Sequence, residues 1–307
     1  MTGLWDPDWP TAADWLAGDS REGGSRDVLA PDLVVLGVPV SVTSITQPSG
    51  CHETPAAVRR RLGVLSTFSS ERDIDVGDLV PRDAGDITLQ PSGKEIAEAA
   101  AEAGAGVPLV VLIGGDNALT YPALMGLAGD DLESWGLVTL DAHHDVRTYV
   151  GRPGNGSPVR ALVDAGLPGA NIVQVGIAGF SNSAPYRRWC EDAEIDVVTA
   201  AEVHFGSVED VLVEAFDRLG LSVDNIYVDL DVDVLDAAFA PACPGARPGG
   251  LTPGELFAAA FLAGRDRRVR AVDIVEVDAA ADIASRTVDI AALCLLNAAA
   301  GLHERIM

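Results

Sequence analysis

Two short apolar runs in this chain end abruptly in clustered acids, and that pairing constrains the fold more than any other feature. Gly136-Leu137-Val138-Thr139-Leu140 leads into Asp141-Ala142-His143-His144-Asp145, and Asn225-Ile226-Tyr227-Val228 leads into Asp229-Leu230-Asp231-Val232-Asp233. A run that is apolar at successive positions, rather than at alternate ones, belongs to a strand buried on both faces, as in a parallel sheet covered by helices. Four further runs fit the same description: Leu33 to Val40, Leu109 to Gly115, Asn171 to Ile177 and Val269 to Val277. Helix-like segments alternate with them, as at Thr54 to Leu62, where a threonine N-cap and a proline at N1 are expected to open the helix. The alternation predicts one parallel α/β sheet. No internal repeat or low-complexity linker divides the 307 residues, so a single domain is expected, with an irregular segment over residues 1–30.

In open α/β sheets, ligands bind beyond the carboxyl ends of the strands, and both acidic clusters stand at such ends. If the chain stays extended there, alternation places Asp141, His143 and Asp145 on one face, and likewise Asp229, Asp231 and Asp233. Carboxylates so close repel one another unless a cation sits among them. Either segment alone would also read as helix caps and surface charge, but two in one chain favour a divalent metal. Carboxylate oxygens mixed with an imidazole suit manganese, with iron, nickel and zinc as alternatives.

The overall charge, 21 Lys and Arg against 46 Asp and Glu for a net −25, argues against nucleic acid, whose phosphates need clustered basic residues. No apolar run reaches the ~20 residues of a membrane helix, so no membrane partner is expected. The N-terminus lacks the basic start and apolar core of a signal peptide, which predicts a cytoplasmic protein. Cys51, Cys190, Cys243 and Cys294 are too far apart for a zinc knuckle or redox pair and read as reduced thiols.

The acidic segments resemble the DAHxD and SxDxDxxD signatures of the ureohydrolases, the superfamily of arginases, agmatinases and formimidoylglutamases. Gly114-Gly115-Asp116-Asn117, Gly249-Gly250-Leu251-Thr252 and Asp273-Ile274-Val275-Glu276-Val277 extend the resemblance along most of the chain. It implies a three-layer α/β/α fold with a central, mostly parallel sheet of about eight strands, a binuclear manganese centre and a homo-oligomer, trimeric or hexameric. It also implies that Asp141, Asp145 and Asp231 bind or bridge the metals, that His143 and Asp233 complete one metal's shell, and that Glu276 contacts the amidine or guanidine group of a small substrate.

Two positions depart from the family pattern. Asn117 stands where the first metal ligand is usually a histidine. It either offers its carbonyl oxygen to a looser second metal, or leaves one metal only, or marks a site without catalysis. Asn155, in Gly154-Asn155-Gly156-Ser157-Pro158, replaces a histidine proposed to shuttle protons in arginases and agmatinases. An amide relays no proton at neutral pH, so Asn155 is a candidate for substrate contact only.

Arg147 forms a DxR sequence with Asp145, similar to that of formimidoylglutamases. Its guanidinium suits bidentate pairing with a substrate carboxylate, or with one of the site aspartates. The expected reaction is hydrolysis of a linear amidine, N-formimidoyl-L-glutamate to L-glutamate and formamide, with Asp145 handling the proton of the attacking water and Glu276 pairing with the amidinium. An agmatinase or guanidino-acid hydrolase is the alternative within the class. A catalytically inactive binding protein of the same fold is the alternative outside it. Arg247, His52, Cys51 and His144 are secondary candidates, and His144 is expected to point away from the site.

Overall fold

The computed structural model describes residues 8–18, 30–44 and 46–307. Its strands are β1 (Leu33–Val38), β2 (Phe68–Ser69), β3 (Ile74–Asp75), β4 (Pro81–Asp86), β5 (Leu109–Gly114), β6 (Trp135–Leu140), β7 (Ile172–Ile177), β8 (Asp196–Thr199), β9 (Asn225–Asp231) and β10 (Val269–Val275). The helices are α1 (Ala12–Ala17), α2 (Thr54–Leu62), α3 (Gly93–Gly104), α4 (Thr120–Ala128), α5 (Pro158–Ala165), α6 (Ala184–Asp192), α7 (Ala200–Phe205), α8 (Val208–Leu219), α9 (Pro253–Arg265) and α10 (Arg286–Ile306). Eight strands form one sheet in the order β4-β1-β5-β10-β9-β6-β7-β8, every neighbouring pair parallel, while β2 and β3 make a separate antiparallel pair.

Successive residues of each inner strand feed opposite layers. Leu33, Val35, Leu109, Val111, Ile113, Val138 and Leu140 pack with residues of α2, α8, α9 and α10. Val34, Leu36, Val38, Val110, Leu112 and Leu137 pack with residues of α3, α4 and α5 on the other face. Each fully buried Val or Leu contributes about 1.5–3 kcal/mol, so both faces must stay covered, and the three-layer α/β/α arrangement follows. All six apolar runs lie in this sheet. The edge strands β4 and β8 had no comparable signal, because an edge buries less: Arg82, Asp83 and Ala84 of β4 are exposed, and no residue of β8 is fully buried.

Two local expectations change. Helix α2 begins at Thr54 itself, without a side-chain cap, because the Thr54 hydroxyl donates to the Val277 carbonyl at 2.5 Å instead. Within the segment 1–30 expected to be irregular, the described part holds α1, capped by Thr11, whose side chain accepts from Asp14 N and which buries Trp15; residues 1–7 and 19–29 lie outside the described residues. Among the described residues no helix is long and apolar enough to cross a membrane.

Candidate metal centre

The chain lays down β1 and β4 to β8 before it returns to insert β9 and β10 between β5 and β6. That insertion brings four carboxyl ends together. The segments leaving β5, β10, β9 and β6 carry Asn117, then Glu276, then Asp231 with Asp233, then Asp141, His143 and Asp145.

These segments do not stay extended. Asp141 Oδ1 accepts from His143 N at 2.6 Å, and Asp231 Oδ1 accepts from Asp233 N at 2.8 Å. Each carboxylate thus bends its own backbone two residues on. Asp141, His143 and Asp145 therefore reach the site from a bent chain rather than by strand alternation, and Asp233 reaches it from the 3-10 turn Val232–Val234. Asp145 and Glu276 adopt left-handed φ angles of 52° and 62°, at a cost on the order of 1–3 kcal/mol each. Asp229 does not join them. It sits inside the sheet in register with Asp273, whose Oδ2 accepts from Tyr227 and Thr120 hydroxyls, both at 2.7 Å.

One half of the centre is a closed triad. Ligand atoms of Asp141, His143 and Asp233 all lie within 4.8 Å of one another. His143 Nδ1 is 2.7 Å from Asp233 Oδ2 and 3.5 Å from Asp141 Oδ1, and Ala142 N donates to Asp233 Oδ1 at 3.0 Å. A Cβ on Gly245 would lie 2.0 Å from Asp233 Oδ2, so only glycine lets that loop close over the triad.

The other half is spanned by an amide. Asn117 Nδ2 donates to Asp145 Oδ2 at 3.0 Å and Asp231 Oδ2 at 3.2 Å, while its Oδ1 lies 2.6 Å from Thr120 Oγ1. Asn117 N and Asn155 Nδ2 both donate to Glu276 Oε1, at 2.9 and 3.1 Å. Asn155 therefore orients Glu276.

The acids lie 1–9% exposed and short of positive charge. Burial, then the charge of Asp233, pushes Asp141 up to about 7. Burial, then Asp116, pushes Glu276 up to about 8. Asp145 and Asp231 are raised well above the usual carboxylate range by burial and by their acidic neighbours. Burial opposes the charged imidazole of His143, but hydrogen bonds and charge from Asp141 and Asp233 outweigh it and raise His143 to about 11. Burial likewise pushes against ionised Asp233, yet bonding to His143 holds it below its ordinary value. A crowd of buried carboxylate oxygens, one imidazole and one amide is the donor set of a hard to borderline divalent cation, so these residues fit manganese.

Arg147 lies exposed at the mouth of the same cavity, which His143, Asp145, Asn155, Asp231, Asp233 and Glu276 also line. Among the described residues no acid forms an ion pair with it. Its stem crosses Gly156, where a Cβ would lie 2.7 Å from Arg147 Cδ, and its backbone N–H donates to Gly156 O at 2.9 Å.

The secondary candidates fall elsewhere. His144 points away, with Nδ1 2.7 Å from Gln174 Oε1. Arg247 Nη1 donates to the carbonyls of Gly245 and Ala246, both at 2.9 Å, and so braces the loop over Asp233. His52 lies 3.1 Å from Ser41 Oγ, and Cys51 is fully buried, with burial raising the pKa of its thiol. Residues without a role in the sequence reading also shape the site: Thr43, Asp116, Thr120 and Gly245. Of these, Asp116 stands inside the Gly114-Gly115-Asp116-Asn117 motif and Thr120 lies one helical turn after Asn117, whereas Thr43 and Gly245 had no comparable signal.

An eight-stranded parallel sheet whose central strand ends converge on buried acids and an imidazole defines a metal-binding α/β protein. The chain belongs to the arginase family, which it matches over residues 31–301. Among its relatives, a formimidoylglutamase of Halalkalibacterium halodurans is 38% identical over 272 residues, covering 86% of this chain and 85% of that protein. The crystal structure of formimidoylglutamase from Bacillus subtilis superposes with a TM-score of 0.89 at 28% identity, covering 100% of this chain and 96% of the other. A variant of Trypanosoma cruzi formiminoglutamase solved with Mn2+ gives a TM-score of 0.86 at 25% identity, covering 97% and 99%.

Proposed function

We propose that this chain is a manganese-dependent amidinohydrolase that converts N-formimidoyl-L-glutamate and water to L-glutamate and formamide. The observation that carries the substrate is Arg147, a guanidinium without an acid partner among the described residues, at the mouth of a cavity lined by Asp145, Asp231, Asp233 and Glu276. A substrate cationic at its reacting end and anionic at its tail matches that polarity, whereas a cationic tail such as that of agmatine would be repelled at the mouth. The formimidoylglutamases among its relatives, and the Mn2+ in one of them, support the same reading.

Asp141, His143 and Asp233 would hold one Mn2+, and Asp145, Asp231 and Asn117 a second. Asn117 would turn its carbonyl oxygen toward the cation by rotation about its Cβ–Cγ bond. When bound, the cations supply Lewis acidity and lower the pKa of water.

The protein's own groups do the rest. Asp145, which lines the cavity, takes the proton of the attacking water. Glu276, with Oε1 engaged by two donors, offers Oε2 to the amidinium, and Arg147 pairs with a glutamate carboxylate at the far end. Water adds to the amidine carbon, the bond from that carbon to the glutamate nitrogen breaks, and the proton passes to the departing amine. Asn155 orients and relays nothing.

Release of glutamate and formamide by the Mn2+-loaded protein, measured beside agmatine, arginine and guanidino acids, tests the reading. Arg147→Ala should raise KM for N-formimidoyl-L-glutamate by roughly 10- to 100-fold, the loss of a charge-assisted hydrogen bond. Turnover of a guanidino compound in place of the formimidoyl substrate, or an unchanged KM in the variant, would overturn the substrate.

A further inference from the structure

We infer that Thr43 is a positioning residue that sets Asn155 and Glu276 for the amidinium, by way of one hydroxyl shared between three strand ends. The inference rests on the proposed function for its substrate.

Thr43 lies in the loop after β1, half-buried. Its Oγ1 donates to Asp116 Oδ2 at 2.9 Å, and its N–H donates to the same oxygen at 2.8 Å. The same Oγ1 accepts from Asn155 N at 2.9 Å. An acid at the end of β5 and a backbone N–H beyond β6 cannot be joined by another acid or another amide hydrogen, because one end accepts and the other donates. A hydroxyl does both at once.

Both partners of the hydroxyl are anchored. Asp116 is fully buried, precedes Asn117 and also accepts from Ala118 N. On the far side of Asn155, Gly154 N donates to Ser157 Oγ at 3.0 Å and Ser157 N donates to Gly154 O at 3.0 Å. The loop over 154–157 is thus closed on itself; Gly156 O accepts from Arg147 N, and Thr43 ties the Asn155 end to the ends of β1 and β5. The loop bearing Thr43 is braced in turn, since Gln90 bonds both the N–H and the hydroxyl of Ser41, and Gln47 Nε2 donates to the carbonyls of Ser41 and Ser44.

The consequence falls on Glu276. With Asn155 fixed, its Nδ2 meets Glu276 Oε1, which Asn117 N also engages, and Oε2 is the oxygen left for substrate. Without the hydroxyl, the 154–157 loop keeps its own turn but loses its register against Glu276. The effect should therefore appear in substrate binding ahead of metal content.

Thr43→Val removes the hydroxyl at nearly constant shape, and Thr43→Ser restores it. The valine variant should retain its Mn2+, raise KM for N-formimidoyl-L-glutamate roughly tenfold with a smaller fall in kcat, and exchange the amide hydrogens of residues 154–157 faster. The serine variant should recover both. An unchanged KM and exchange rate in Thr43→Val, or a serine variant as impaired as the valine, would overturn the inference. A parent protein that hydrolyses no amidine would overturn the proposed function instead, and the exchange comparison alone would then decide whether Thr43 holds the loop.

Discussion

On one side of the centre Asp141, His143 and Asp233 bring their ligand atoms within 4.8 Å of one another; on the other, Asn117 bridges Asp145 and Asp231 with a neutral amide. Both halves crowd buried carboxylates, but only the triad carries a group that takes up positive charge without a metal, the imidazole of His143. The Asn117 half has hydrogen bonds in place of charge, and Asp145 and Asp231 stay well above their ordinary pKa. The difference predicts unequal affinity. The triad should bind Mn2+ tightly, and the Asn117 half more weakly and with stronger dependence on free metal.

The largest effect should come from breaking the triad. Asp233 touches His143 and Ala142 N and lies under Gly245, so Asp233→Ala removes a proposed ligand and unfastens His143 together. Loss of a metal-supporting outer partner typically costs 10- to 100-fold, so loss of this ligand should lower kcat/KM by on the order of 100-fold or more. Elemental analysis after dialysis should show at least one fewer Mn2+ per chain. A variant that keeps both its metal and its rate would make the two halves equivalent and end the comparison.

A gentler change acts on the weaker half. Asn117→His replaces an amide oxygen with a better manganese donor and should tighten the weaker Mn2+ by roughly tenfold, about 1.4 kcal/mol, while kcat stays close to that of the parent. Titration calorimetry would read the two affinities separately. If the weaker affinity does not move, or if both metals are lost, Asn117 does not face the cation.

How far this asymmetry was legible in the sequence depends on how local its causes are. The apolar runs placed six inner strands because each strand states its own burial. Asp141, His143 and Asp145 stand within five residues, so their company was visible, as was the absence of a histidine at Asn117. The geometry was not. The bends at Asp141 and Asp231 and the left-handed Asp145 and Glu276 come from hydrogen bonds and packing that strand alternation ignores. Thr43 meets Asp116 across 73 residues and Asn155 across 112, and Asn117 meets Glu276 across 159. The Asn117–Glu276 contact follows from the insertion of β10 beside β5, the Thr43 contacts from the convergence of loops after β1, β5 and β6, and no short motif encodes their geometry. Arg147 illustrates both limits: its two pairings were open in sequence, and only the fold shows its freedom from site acids.

The smallest effect is a divergence of stability with pH. Folding raises Asp141 to about 7 and Glu276 to about 8, and raises Asp145 and Asp231 as well. In the metal-free protein these groups hold protons that the unfolded chain has released above about pH 4. Their contribution is complete below that pH and falls as pH rises; the parts from Asp141 and Glu276 are lost as pH passes about 7 and about 8. His143, raised to about 11, adds a loss that begins above about pH 6.5. His144, which burial lowers, opposes them only up to about pH 6.5. Asp233 is lowered, so its contribution is already complete by about pH 5. The metal-free Tm should therefore fall between about pH 5 and 8. Mn2+ needs the same ligands deprotonated, so the rise in Tm that it produces should grow over that interval. Thermal unfolding in chelator and in excess Mn2+ measures both curves; Asp233→Ala should shrink their separation, whereas Asn117→His should widen it. Parallel curves would show that the buried acids are not what binds the metal.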